Sequence, residues 1–160
     1  MCGIFDIMAF LERVSVVPVR LNNNSWEYLL CAPVDVAGFK WEITKGMTQD
    51  REKTEEAAKR ILMDTLALNP MILIETGLEY TDEVSEKKQE IYKNESIEKQ
   101  VETIYEYVFI ARVIPSVKPM INLMLHKKCQ WFEIEEALDT LESDRERGIL
   151  NYCKEFLEEE

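Results

Sequence analysis

The chain is 160 residues long, enough for one domain with a sizeable core and too short for two ordinary ones. Hydrophobic residues make up 46% and charged residues 31%, which excludes a disordered or fibrous chain. Nineteen Lys and Arg stand against 31 Asp and Glu, a formal charge of −12, so direct nucleic-acid binding, which needs cations for phosphate, is the weaker expectation.

Residues 4–20 are rich in Ile, Phe, Val and Leu and are expected to form one or two strands, interrupted at Pro18. Asn22-Asn23-Asn24-Ser25 is a turn cluster, and residues 26–32 form the strand that closes the hairpin. After a loop at 33–38, Phe39, Trp41 and Ile43 alternate with Lys40 and Glu42, the pattern of a short strand broken at Lys45-Gly46. Residues 50–68 carry the strongest helix signal. Ala58, Ile61, Leu62, Thr65 and Leu68 make one stripe, acids crowd the first turns, and Asn69-Pro70 ends the run.

Residues 71–78 read as a strand and 81–100 as a charged insertion, either a solvated helix or a loop. Residues 101–114 read as a long strand with Tyr105, Tyr107 and Phe109 on one face and Ile104, Val108 and Ile110 on the other. Pro115 and Pro119 bracket a loop before a further strand at 120–125; helices follow from Glu135 and over 144–156. Strands, one amphipathic helix, more strands and terminal helices predict a single mixed α/β or α+β domain.

No apolar run reaches the ~20 residues of a membrane helix, and Met1-Cys2-Gly3-Ile4-Phe5-Asp6 lacks the basic and long apolar segments of a secretory leader. Cys2, Cys31, Cys129 and Cys153 are far apart and His126 is the one histidine, which argues against a Cys/His zinc site and for reduced thiols in the cytoplasm.

Residues 41–68, WEITKGMTQDREKTEEAAKRILMDTLAL, resemble the Nudix box and its preceding strand, G-x5-E-x7-R-E-U-x-E-E-x-G-U with U a bulky apolar residue. Gly46, Glu52 and Arg60 keep the spacing without a gap, Ala58 falls where the family usually has alanine, and Leu62 and Leu68 hold the apolar places. Lys45-Gly46, Cys2-Gly3-Ile4, the Asn-rich turn before Glu27-Tyr28-Leu29-Leu30, and Gln130-Trp131-Phe132 ahead of Glu135-Glu136-Ala137 are similar to the asymmetric diadenosine tetraphosphate (Ap4A) hydrolases. The resemblance covers nearly the whole chain and is weakest at 81–100. It implies the Nudix fold, a mixed β-sheet sandwiched between α-helices, as one domain over 1–160.

Nudix enzymes hydrolyse a phosphoanhydride attached to a nucleoside, with Mg²⁺ held by carboxylates that gather on one helix face. Here the three glutamate places of R-E-U-x-E-E hold Ile61, Asp64 and Thr65. Isoleucine cannot ligate Mg²⁺, and a threonine hydroxyl is a weak, neutral ligand. Leu125-His126-Lys127-Lys128 stands near the family's further acidic residue, and Ala67 replaces the second glycine. The resemblance with these departures implies a protein that binds a nucleotide or dinucleoside polyphosphate with hydrolysis lost or severely weakened, acting as a sensor or assembly subunit.

Under that reading Lys45 meets a phosphate, and Tyr105 or Tyr107 stacks on a base; the plain alternatives are a surface lysine and core tyrosines. A second reading is an active Mg²⁺-dependent bis(5′-nucleosyl)-tetraphosphatase that splits Ap4A to ATP and AMP. Glu52 and Asp64, with Glu55 or Glu56, would then form the catalytic metal site. Against this, Glu56, Arg60 and Asp64 are spaced for i,i+4 ion pairs, and Glu52 suits a capping role. A third reading is an interaction scaffold in a larger protein or ribonucleoprotein assembly. Trp41 and Trp131 are expected in the core and His126 at the surface. Met1-Cys2-Gly3-Ile4-Phe5 is also similar to the start of class II glutamine amidotransferases, whose cysteine nucleophile needs further motifs that this chain lacks.

Overall fold

A computed structural model describes residues 10–34, 40–85 and 101–158. The strand residues expected at 4–9, Phe39, and the insertion from 86 to 100 lie outside the described residues. The elements in chain order are β1 (Phe10–Asn22), β2 (Ser25–Pro33), β3 (Thr44–Met47), α1 (Thr54–Leu66), β4 (Ile72–Ser85), β5 (Val101–Arg112), β6 (His126–Glu133), α2 (Ile134–Thr140) and α3 (Asp144–Glu158). Among the described residues no helix is long and apolar enough to cross a membrane.

The strands form one sheet in the order β4-β5-β1-β2-β6, with β3 alongside β1. β1 and β5 are parallel and the other pairs antiparallel. The β1–β2 hairpin closes at Asn22 and Ser25 through Asn23 and Asn24, both left-handed at φ 51° and 66°. Asparagine tolerates that conformation better than other side chains do.

Pro18 does not interrupt β1. One edge of β1 pairs with β3 up to Val16 and with β2 from Val19 onward. Pro18 falls in the gap between these partners, where the missing N–H costs no ladder bond on that edge.

The sheet is covered on both faces. Val17, Val19, Leu30, Val108, Ile110 and Phe132 face Ile149, Leu150 and Cys153 of α3 and Ala137 of α2. Val14, Val16, Leu29, Phe109 and Ala111 face Ala57, Ala58, Ile61, Leu62 and Leu66 of α1. Burial on both sides is why β1 reads as a near-continuous apolar run instead of an alternation. The α+β class is the one expected from the order of elements, and the sheet between helices is the arrangement that the resemblance implied.

Four local expectations move. The strand expected at 39–43 lies later: Glu42 makes a single bridge to Cys31, and Thr44–Met47 pairs with β1 through Lys45-Gly46. The helix expected from residue 50 starts at Thr54, because 50–53 belong to a loop with Arg51 at φ 62°. Residues 81–85 continue β4 past a register shift between Glu75 and Glu79, beside Gly77 at φ 82°. Residues 120–125 form no strand, with a turn at 123–125, and the backbone of 120–122 serves the end of α1. Met120 N–H donates to Leu66 O at 2.8 Å and Asn122 N–H to Thr65 O at 2.9 Å. A helix leaves its last carbonyls without intrahelical partners, and this loop satisfies two of them.

Candidate functional site

β3 feeds the box segment, and its glycine has a packing role. A Cβ on Gly46 would stand 3.0 Å from Cδ1 and Cγ1 of Ile61. Ile61 is 2% exposed and fills the space against β3. The side chain at the first glutamate place is therefore a core contact between α1 and the sheet.

Arg60 organises the loop. Its Nε and Nη2 donate to Glu52 Oε2 and Oε1 at 2.8 and 3.0 Å, and Nη2 also reaches Met47 O at 2.7 Å. The guanidinium, helped by the Gln49 N–H, holds the Glu52 carboxyl below its ordinary range. Asp64 is 59% exposed and lies 3.7 Å from Arg60. Glu56, spaced to share Arg60, instead accepts from the Lys53 N–H at 3.2 Å. Thr65 turns its hydroxyl back along the helix and donates to Ile61 O at 2.5 Å. α1 ends with Ala67 left-handed at φ 53° and its N–H on Met63 O at 3.1 Å, a place that suits glycine.

A hard divalent cation needs several convergent oxygens. The residues at the box positions do not fit one. Ile61 is apolar, Thr65 is spent on its own helix, and Glu52 is held by Arg60. Among the described residues no three of His, Cys, Asp and Glu converge as a metal cluster.

Beside this segment a cavity of about 430 Å³ opens, lined among others by Val34, Glu42, Lys45, Thr65, Leu125 and His126. Lys45 is the predicted site residue it contains, and Thr65 is the box position that reaches it. Lys45 Nζ lies 3.3 Å from Glu146 Oε2 of α3, which also accepts from the Ile43 N–H at 2.7 Å. The Glu146 side chain is nearly buried, and Ser143 Oγ receives its backbone N–H at 3.2 Å.

Glu52, Asp64, Tyr105 and Tyr107 are not among the residues that line this cavity. Tyr105 pairs across β5–β1 with Glu12 and Tyr107 with Val14; Val14 also pairs with Gly46 on the other side. Tyr107 packs on the α1-side core, and burial, with Glu12 and Glu79 nearby, pushes its hydroxyl up. Trp41 and Trp131 are partly buried against the two cores, Trp41 edge-on to Phe132 at 5.2 Å and Trp131 under Arg20 at 4.4 Å. His126, expected at the surface, is only 7% exposed at the start of β6.

Glu42 and Glu146 escaped the sequence reading. Glu42 looked like the solvated half of an alternating strand. Glu146 sits 101 residues from Lys45, with no local pattern that marks it. Together the lining groups offer one half-buried cation, a carboxylate at Glu42, a second behind Lys45, and an apolar wall. Such a pocket suits a small polar ligand of limited negative charge.

No protein-family model and no curated protein matches the sequence. Solved structures do. A candidate Nudix hydrolase from Listeria monocytogenes superposes with a TM-score of 0.70 at 20% identity, covering 92% of this chain and 94% of its own. A Caenorhabditis elegans Ap4A hydrolase in a binary complex gives 0.68 at 16%, over 94% and 99%. The Nudix domain of Shewanella oneidensis NrtR, complexed with ADP ribose, gives 0.71 at 13%, over 93% and 89%. At these identities the likeness is one of fold, and the fold of this chain is that of the Nudix hydrolases.

Proposed function

We propose that this chain binds a nucleotide in the cavity beside α1 and has lost, or nearly lost, phosphoanhydride hydrolysis. The observation that carries this reading is the fate of the box positions. Ile61 packs on Gly46, Thr65 bonds its own helix and Glu52 is tied to Arg60. Ile61 and Thr65, at two of the three glutamate places, are buried, and neither offers a carboxylate.

A cavity of about 430 Å³ is at the lower end of the range for small-molecule sites, roughly 300–1,000 Å³. That size favours a single nucleotide over a whole dinucleoside polyphosphate. The charge balance points the same way. Lys45 faces a phosphate only by sharing itself with Glu146, and Glu42 adds a carboxylate to the lining. The structural neighbour crystallised with ADP ribose supports a ligand of this kind. The protein then acts as a sensor or as a subunit stabilised by its ligand.

Calorimetry with AMP, ADP, ADP-ribose and Ap4A, paired with a hydrolysis assay in Mg²⁺ or Mn²⁺, tests this. Binding without turnover, lost in Lys45→Ala, is expected. Robust turnover abolished by Asp64→Ala would instead reveal a rebuilt metal site and an active Ap4A-type hydrolase. Neither binding nor turnover would leave the fold as an interaction scaffold.

A further inference from the structure

Cys31 on β2 and Cys129 on β6 stand directly opposite each other in the antiparallel ladder. Opposite residues in such a ladder alternate between two geometries. Hydrogen-bonded pairs have Cα atoms about 5.5 Å apart; unbonded pairs lie at about 4.5 Å, with their side chains closer. The backbone tells which kind this pair is. Cys31 N–H donates to Glu42 O at 2.9 Å, and Cys31 O accepts from the Glu42 N–H at 2.8 Å. Both groups of Cys31 are therefore spent on the edge away from β6, and Cys31 and Cys129 form a close, unbonded pair. A disulfide needs Cα atoms about 4.4–6.8 Å apart, a span that this pairing supplies without moving a strand.

The two thiols are free and share one face of the sheet. Cys31 is fully buried in the α1-side core, with Sγ 3.5 Å from Thr44 Oγ1. Cys129 packs against the same core but is half-buried, which leaves it open to a small oxidant. Burial pushes both thiols up, so the dithiol reacts slowly. Cys153 lies in the core on the other side of the sheet. The pair also flanks the cavity. Pro33 and Val34, just after Cys31, and Leu125 and His126, just before Cys129, all line it. The ladder shifts register between Ala32 and Pro33, and beyond the shift the Val34 N–H donates to Leu125 O at 3.1 Å.

We propose that Cys31 and Cys129 are a reversible dithiol–disulfide pair, a redox staple that fastens β2 to β6 where the two strands enter the cavity wall. The oxidant is a hydroperoxide. The Cys129 sulfur attacks its O–O bond, and with hydrogen peroxide this leaves a Cys129 sulfenic acid and one water. The Cys31 sulfur then attacks the Cys129 sulfur. The S–S bond forms, the S–O bond breaks, and hydroxide leaves with the Cys31 proton as a second water. The two thiols lose two electrons and the peroxide gains them. A small thiol reverses the bond by exchange at Cys129, the more exposed sulfur. The proposal does not rest on nucleotide binding.

The test treats the folded full chain with hydrogen peroxide at pH 8, alkylates the remaining thiols, and maps linkages by mass spectrometry of a non-reducing digest. A Cys31–Cys129 linkage that dithiothreitol removes is expected. The linked chain should melt about 5–10 °C above the reduced one, because the bond restrains the unfolded chain. Cys129→Ser, close in size to the natural side chain, should keep the wild-type circular dichroism and leave Cys31 as a thiol after the same treatment. No linkage, or Cys129 advancing to sulfinic acid without one, overturns the proposal. So does a bond from either cysteine to Cys2 or Cys153 in its place, a Cys31–Cys129 bond that forms only in urea, or a linked chain that melts no higher than the reduced one.

Discussion

A single pair, Gly46 and Ile61, shows how α1 seals against β3. Burying an isoleucine side chain contributes about 1.5–3 kcal/mol, whereas a carboxylate in the same place would need partners for its charge. Ile61 gains its burial from the missing Cβ of Gly46, 3.0 Å from where that atom would stand. Gly46→Ala should therefore lose about 1–2 kcal/mol by overpacking, read from urea melts. Ile61→Val in that background should recover part of the loss, because the two side chains compete for the same space. Additive effects would mean that the contact is looser than the geometry implies. The glycine was legible from its spacing, but its role was not, because the partner arrives from a helix fifteen residues later.

Between elements, a polar network joins β1, β4, β5 and α3. Arg145 grips Asp82 with two bonds of 2.7 and 2.8 Å, and Arg13 bridges Asp82 at 2.5 Å and Glu106 at 2.6 Å. Arg145, and then Arg13, lower the Asp82 carboxyl to about 2. A folded value below the unfolded one stabilises the protein above the unfolded value, near 4, and the gain disappears as pH falls toward about 2. With Asp82 about one-third exposed, solvent screening leaves roughly 1 kcal/mol. Asp82→Asn should lower stability by about that much at pH 7, and its deficit should shrink between pH 4 and pH 2 in urea titrations. Nothing local flagged Asp82. It sits where the sequence suggested a charged insertion, and only pairing with β5 makes its stretch a strand. By contrast α1 was legible from periodicity, though its first turn was placed four residues early, because acids at 50–53 suit a loop and a helix start equally well.

Across the whole molecule the sheet divides two cores, and cysteines report on both. Burial pushes the Cys31 and Cys153 thiols up to about 12, so neither supplies much thiolate near neutral pH. Cys31 lies in the α1-side core and Cys153 in the α3-side core. Labelling with iodoacetamide at pH 8, mapped by mass spectrometry, should be slow at both and accelerate together at the unfolding transition. Labelling of one far ahead of the other would show that one face of the sheet opens independently.

Composition, the α1 stripe and the hairpin turn were enough for the class, and the resemblance carried by the box spacing implied the mixed sheet and the sandwiching helices. These signals are local: they depend on neighbours a few residues apart and on which faces must be buried. The tertiary structure alone decided that Ile61 seals against Gly46, that Glu146 reaches Lys45, and that residues 120–125 cap a helix instead of extending the sheet. Tyr105 and Tyr107 are not among the residues that line the cavity. Those facts join residues 15 to 101 positions apart, and side-chain direction, free space and charge partnership at such distances exist only after the chain has folded.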